Sequence, residues 1–155
     1  MIKLFFAADQ DIESAMEIRL EMLKIVNNLP PEYVFDKALT EASKEYFSCG
    51  NQTTVLAVDS ENGKPVGCAT MCYIEMMPTF SHPTGKRAHL MNVYTNMAYR
   101  RQGIACEMIQ MLIRDAEKRG DTEISLDATD QGRPLYEKLG FQASRECMVL
   151  TLPLK

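Results

Sequence analysis

The spacing of apolar and polar positions divides the chain into strands and helices before any motif is considered. "IKLFFAA" (2–8) reads as a first strand. Ile12, Ala15, Met16, Leu20 and Leu23 then recur at helical spacing, with Glu13, Glu17, Glu21 and Lys24 on the other face. This predicts a helix over 11–26, capped by Asp9 or Asp11. "NNLPPEY" breaks it, and Leu39, Ala42, Tyr46 and Phe47 mark a second helix at about 36–48. The period then shortens. "TTVLAVD" (53–59) and "VGCATMCYIEMM" (66–77) read as strands joined by a hairpin turn at Asn62-Gly63. A loop with two prolines (78–86) leads to a long strand, "RAHLMNVYTNM" (87–97). A helix fills 103–119 and is closed by Gly120. Ile124, Leu126 and Ala128 alternate with Ser125 and Asp127 in a strand over 122–128. A short helix over 132–141 ends at Gly140, and "ECMVLTL" (146–152) reads as a last strand.

The order β-α-α-β-β-β-α-β-α-β predicts an α/β fold with a mixed central sheet and helices on both faces. The three consecutive strands form a meander. The β-α-β segment at 87–128 is expected to be a right-handed crossover, so those two strands run parallel. No repeat, low-complexity segment or linker interrupts the chain, and its 155 residues are expected to form a single domain over 1–155.

Composition narrows the function classes. At 46% hydrophobic and 25% charged residues the chain is an ordinary globular sequence. Its net charge of −4 disfavours general nucleic-acid binding, which needs a basic face. The five cysteines are odd in number and none forms C-x-x-C. With no signal-peptide pattern and no apolar run long enough for a membrane span, a reduced, cytoplasmic protein is expected, with thiols as small apolar fillers. Cys68 and Cys72 would share a strand face, but neither histidine is spaced to complete a metal site with them.

The chemistry concentrates in "YRRQGIACEMIQML" (99–112). A helix start presents unpaired N–H groups and a positive dipole end, which together bind anions. Gly103 permits close approach to the backbone, Ala105 keeps the first turn slim, and Arg100 and Arg101 add charge. Spacing alone fits a turn with solvated arginines equally well. The P-loop pattern and G-x-G-x-x-G are both absent.

"NVYTNMAYRRQGIA" ahead of a long amphipathic helix, with "LYEKLGF" further on, resembles the GNAT superfamily of acyl-CoA-dependent N-acyltransferases. The family pattern [QR]-x-x-G-x-[GA] reads here Arg100-Arg101-Gln102-Gly103-Ile104-Ala105, and the predicted element order fits the family along the whole chain. The resemblance implies acetyl-CoA as cosubstrate, its pyrophosphate held by backbone N–H groups from Arg101 to Cys106. It implies a splayed sheet in which Val93, Tyr94 and Thr95 pair with the pantetheine arm, usually at a bulge. A backbone N–H near Tyr94 or Thr95 would face the thioester oxygen. Tyr136 matches the family tyrosine that protonates the coenzyme A sulfur; a phenol stays protonated at neutral pH. Thr129 stands where many relatives have asparagine, so Thr129 or Gln131 substitutes for that contact or it is missing.

Other roles stay open at the level of sequence. Asp127 or Glu75 is a candidate general base, and a water relay would leave no mark. His82 belongs to a lid or an exposed loop, and His89 is a packed or edge histidine. Cys106 sits at a helix N-terminus, which activates thiols, but has no partner histidine. The acceptor is expected to be a small-molecule amine or a peptide amine; Glu13, Glu17, Glu21 and Glu32 lean toward a cationic one, and solvated helix faces explain them as well. A coenzyme A-binding sensor or silent interaction module is the competing class. The last strand is a sheet edge that a homodimer could use.

Overall fold

Two strands fold back on each other where Asn62-Gly63 reverses the chain with Gly63 at φ 71°. In the computed structural model, which describes residues 1–155, these are β2 (Gln52–Asp59) and β3 (Lys64–Glu75). β1 (Ile2–Phe6) adds antiparallel to β2, and β4 (Lys86–Thr95) antiparallel to β3. β5 (Ile124–Leu126) runs parallel to β4, so the sheet order is β1-β2-β3-β4-β5. A parallel neighbour requires a crossover, and α3 (Ile104–Arg119) supplies it.

The period of two decides which helix covers which face. Val55, Ala57, Ala69, Met71, Ala88 and Leu90 point one way and bury against Met108, Ile109, Leu112 and Ala116 of α3. Leu56, Cys68 and Tyr94 point the other way and meet Ala15, Ile18 and Met22 of α1 (Ile12–Val26). Each fully buried side chain of this size contributes roughly 1.5–3 kcal/mol, so both helices are held by packing. α2 (Lys37–Cys49) begins where the Asp36 carboxylate accepts the Ala38 N–H at 2.7 Å, and it lies against α1. The short α4 (Arg133–Lys138) places Leu135 and Tyr136 against the α3 core.

Two expectations from periodicity fail. β5 spans three residues, not the seven from 122 to 128. Residues 146–152 form no strand at all. An alternating apolar pattern encodes propensity, but a strand exists only where another backbone pairs with it, and here none does. Met148 is 93% exposed and Leu150 84%. The outer side of β5 is correspondingly a free edge.

Candidate active site

The site begins where β4 parts from β5. Ala88, His89 and Leu90 pair with Ile124, Ser125 and Leu126, and pairing then stops. Residues 91–95 continue without a neighbour on that side. The cause lies in the pairing with β3: Met91 faces Thr70 and Tyr94 faces Cys68, so β4 carries one residue more than β3 across this step. The extra residue forms a bulge, which bends and twists its strand. Asn92 takes it up with φ 57°, a left-handed conformation that asparagine tolerates better than most residues. Its side chain is buried and held on both sides. Oδ1 accepts from Arg19 Nη1 at 2.9 Å and Nδ2 donates to Thr70 Oγ1 at 3.1 Å. The Cys68 thiol donates to its carbonyl at 3.2 Å.

The bulge also sets which amides face the opening. Asn96 N–H donates to Val66 O on β3 at 2.8 Å. Strand alternation then turns Tyr94 toward β3 and Val93 and Thr95 toward the open edge. Of the three sequence candidates, Val93 and Thr95 therefore offer amides there, and Tyr94 packs its ring against α1. The Thr95 hydroxyl is buried and has no hydrogen-bond partner.

Past the strand, the chain turns at Met97–Tyr99, fixed by Asn96 Oδ1 accepting Ala98 N–H and by Tyr99 OH donating to Asp59 at 2.8 Å. Arg101 at φ 62° and Gly103 at φ 78° then aim the backbone outward. The first bond of α3 is Glu107 N–H to Gly103 O. The N–H groups of Arg101, Gln102, Gly103, Ile104, Ala105 and Cys106 take no acceptor in the chain. A Cβ on Gly103 would meet no atom within 4 Å, so the space over the helix mouth is open. A run of free donors at a positive helix end suits a phosphate group. Arg101 and Gln102 are exposed beside it. Arg100 is committed elsewhere: its Nε donates to Thr95 O at 2.9 Å and its guanidinium lies 5.8 Å from the Tyr94 ring centroid.

Tyr136 stands on α4, edge-on to Phe141 with ring centroids 5.9 Å apart. Its hydroxyl makes no hydrogen bond within the chain, and burial pushes its pKa up, which keeps the proton in place. A Cβ on Gly132 would stand 3.0 Å from the Tyr136 ring, tighter than an ordinary contact, so a side chain there would press on the ring. Thr129 Oγ1 accepts Gly132 N–H at 3.1 Å, so its acceptor role goes to starting α4.

The two base candidates separate. Asp127 follows directly on β5, almost fully exposed, with its carboxylate 3.7 Å from His89 Nε2. His89 Nδ1 in turn meets Ser125 Oγ at 2.8 Å. This pair sits where β4 and β5 diverge. Glu75 ends β3 opposite Lys86, seven residues before Val93, or about 23 Å along β4 at about 3.3 Å per residue. The structure does not bring it to the opening. His82 bridges Thr122 at 2.8 Å and Glu123 at 3.4 Å, which pins the 78–86 loop. Three residues went unrecognised in the sequence. Arg19 and Asn92 meet across 73 positions, and His89 meets Asp127 only through the parallel pairing. The available signals were an arginine in the apolar stripe of α1, at Ala15, Arg19 and Met22, and an asparagine inside a strand run.

A family model described as the Acetyltransferase (GNAT) family matches residues 20–141. The glucosamine 6-phosphate N-acetyltransferase of Trypanosoma brucei brucei is 27% identical over 140 residues, 90% of this chain and 91% of that protein. A predicted acetyltransferase from Clostridium acetobutylicum, solved with acetyl-CoA, superposes with a TM-score of 0.83 at 30% identity, over 97% of this chain and 96% of that one. An aminoglycoside acetyltransferase from an uncultured soil metagenomic sample shares the fold, with a TM-score of 0.77 at 17% identity over 99% and 97% of the two chains. The matched stretch contains the bulge, the helix mouth and Tyr136 alike, and the chain belongs to the GNAT acetyltransferase family as an acetyl-CoA-dependent N-acetyltransferase.

Proposed function

We propose that the protein transfers the acetyl group of acetyl-CoA to the primary amine of a small molecule by direct attack, with the opening between β4 and β5 as the reaction site. One observation carries this reading: six consecutive unpaired N–H groups, from Arg101 to Cys106, stand beside an unpaired strand edge. Phosphate groups would lie on the first and an amide-bearing arm along the second. The donor set fits acetyl-CoA for that reason, and Gly103 leaves the approach clear.

Acetyl-CoA supplies an electrophilic thioester carbonyl and a thiol leaving group. The chain supplies the rest. The Val93 and Thr95 amides are donors at the open edge, preorganised toward the carbonyl oxygen. His89 with Asp127 takes the proton that the attacking amine must lose, imidazole being the side chain most often used as a general base. Tyr136 holds a proton for the departing sulfur, and its free hydroxyl supports that role. The C–N bond forms as the C–S bond breaks, one proton leaves the amine and one reaches the thiol.

A small acceptor is supported by a cavity of about 280 Å3 between α1, α2 and β4, beside the bulge. Glucosamine 6-phosphate and aminoglycosides, named for two relatives, are small amines as well. The exposed 146–152 segment and the free edge of β5 support self-association, each covering apolar surface or backbone donors of a second copy; sedimentation of a monomer at high protein concentration would exclude it. The central test is thermal shift with acetyl-CoA, coenzyme A and NADH. A ligand that binds only the folded chain raises the melting temperature. A rise with the first two and none with NADH is expected; no rise with millimolar acetyl-CoA removes the reading.

A further inference from the structure

The cavity beside the bulge contains a positive charge that no other group in the chain neutralises. Arg19 is its one charged lining residue, set among Ser43, Tyr46, Phe47, Cys72 and Asn92. Its Nε donates to Ser43 Oγ at 3.2 Å and its Nη1 to Asn92 Oδ1 at 2.9 Å. Both acceptors are neutral, and Arg19 takes part in none of the chain's ion pairs. A guanidinium carries five N–H donors in a fork that matches two oxygens of one anion, and three of the five are left. Burial holds Arg19 below the ordinary arginine range. Arg19 is half-buried, and a cation partly withdrawn from water without a counter-charge is unfavourable, which favours an anion that arrives from outside.

The glutamates that would favour a cation lie elsewhere. Glu13 pairs with Lys44, Glu21 accepts from Asn96, and Glu17 and Glu32 are exposed. The cavity also has a direction. Asn92, which touches Arg19, is followed by Val93, whose amide faces the open edge. A molecule with one end on Arg19 thus extends its other end toward the place where the acetyl group is delivered.

We propose that this cavity is the acceptor subsite and that the acceptor is an amine bearing an oxyanion, carboxylate or phosphate, received by Arg19. The proposal rests on the acetyltransferase reading above and adds the charge of the substrate.

The test uses amine pairs that differ only in the anion, with thiol release from acetyl-CoA as the readout. The pairs are glucosamine 6-phosphate against glucosamine, O-phosphoethanolamine against ethanolamine, and 4-aminobutyrate against 4-aminobutanamide. At least one anionic member is expected to show kcat/KM about tenfold or more above its neutral partner, the range of one charge-assisted pair. Phosphate and carboxylate pairs tell the two anions apart. Arg19→Gln is expected to bring the ratio within about twofold by raising KM for the anionic amine alone, and Arg19→Lys to retain part of it, since only charge without the fork remains. A residue that merely braced the bulge would alter both members equally. Equal turnover of both members in the unsubstituted protein, preference for the neutral ones, no turnover of any anionic amine, or a ratio untouched in Arg19→Gln overturns the proposal. Should Arg19→Gln not fold, the pairs decide on the unsubstituted protein alone. The acetyl-CoA thermal shift on the same samples reads separately: a shift with no anion preference leaves the acetyltransferase standing and removes only the acceptor class.

Discussion

Replacing Asn92 tests whether one left-handed residue opens this sheet. Asn92→Ala removes two side-chain hydrogen bonds, one from Arg19 and one to Thr70. The first involves a charged donor, worth roughly 1.5–3 kcal/mol, and the second about 1 kcal/mol. Thr70 keeps Thr54 as a partner at 2.8 Å, so it is not stranded. Alanine at φ 57° adds about 1.5 kcal/mol of left-handed strain. The sum is about 5 kcal/mol, a large share of the roughly 5–15 kcal/mol that stabilises a domain. Asn92→Gly loses the same hydrogen bonds without the strain, and gives back about 0.5–1 kcal/mol in chain entropy. Glycine is therefore expected to be the milder change by about 0.5–1 kcal/mol, or about 2 °C in melting temperature. Urea unfolding of the three proteins measures both differences. An alanine variant as stable as the glycine variant would show that the backbone is not held left-handed. An alanine loss below about 1 kcal/mol would remove the polar clamp from the account.

Three other substitutions or conditions probe the remaining parts. Tyr136→Phe should lower kcat about 100-fold, the scale of a lost general acid, while the acetyl-CoA thermal shift is retained; its hydroxyl makes no bond in the chain, so stability should move by less than about 0.5 kcal/mol. Gly103→Ala should cost about 1 kcal/mol of stability, because only its φ of 78° resists a side chain, yet weaken acetyl-CoA binding by about tenfold or more in titration calorimetry, since the new methyl stands over the free amides. Burial together with neighbouring groups raises Tyr46, Tyr73 and Tyr94 to about 12, with the Asp115 carboxylate accepting from Tyr73 at 2.6 Å. Unfolded phenols ionise near 10, so the stability these groups contribute is complete below pH 10 and drains as pH climbs toward 12. Phenolate absorbance should rise together with loss of near-ultraviolet dichroism, and Tyr73→Phe should flatten the alkaline fall; ionisation of all six tyrosines near pH 10 in the folded protein would contradict it.

The parts of this fold that follow from local chemistry were legible. The α3 start was readable because Gly103 and the stripe Ile104, Met108, Leu112 mark both its mouth and its face. α1, α2 and the 53–77 hairpin were readable for the same reason: their periods switch cleanly and Asn62-Gly63 marks the turn. What escaped depends on partners distant in sequence. "LMNVY" reads as unbroken strand, and nothing local says that β4 gains a residue on β3 there. Glu75 looked as plausible as Asp127 because a strand's sequence does not say which of its ends meets the opening. Arg19 was hidden by its helix, where a cation at an apolar position reads as a boundary residue until Asn92 is placed against it. "ECMVLTL" has the pattern of a strand and no backbone to pair with.

Only three register pairs join β4 to β5, and this makes the junction the weakest seam of the sheet. Residues beyond it hang on that short ladder and on the packing of Leu135, Tyr136, Leu139 and Phe141 against the α3 core. Such a seam opens at a free energy well below that of global unfolding. Amide hydrogens of Ile124–Leu126 would exchange long before those of β2 and β3, which are paired on both sides. A cosubstrate whose arm lay between the two strands would act as the missing rungs, so each catalytic cycle would fasten the carboxyl-terminal fifth of the chain when acetyl-CoA enters and loosen it when coenzyme A departs.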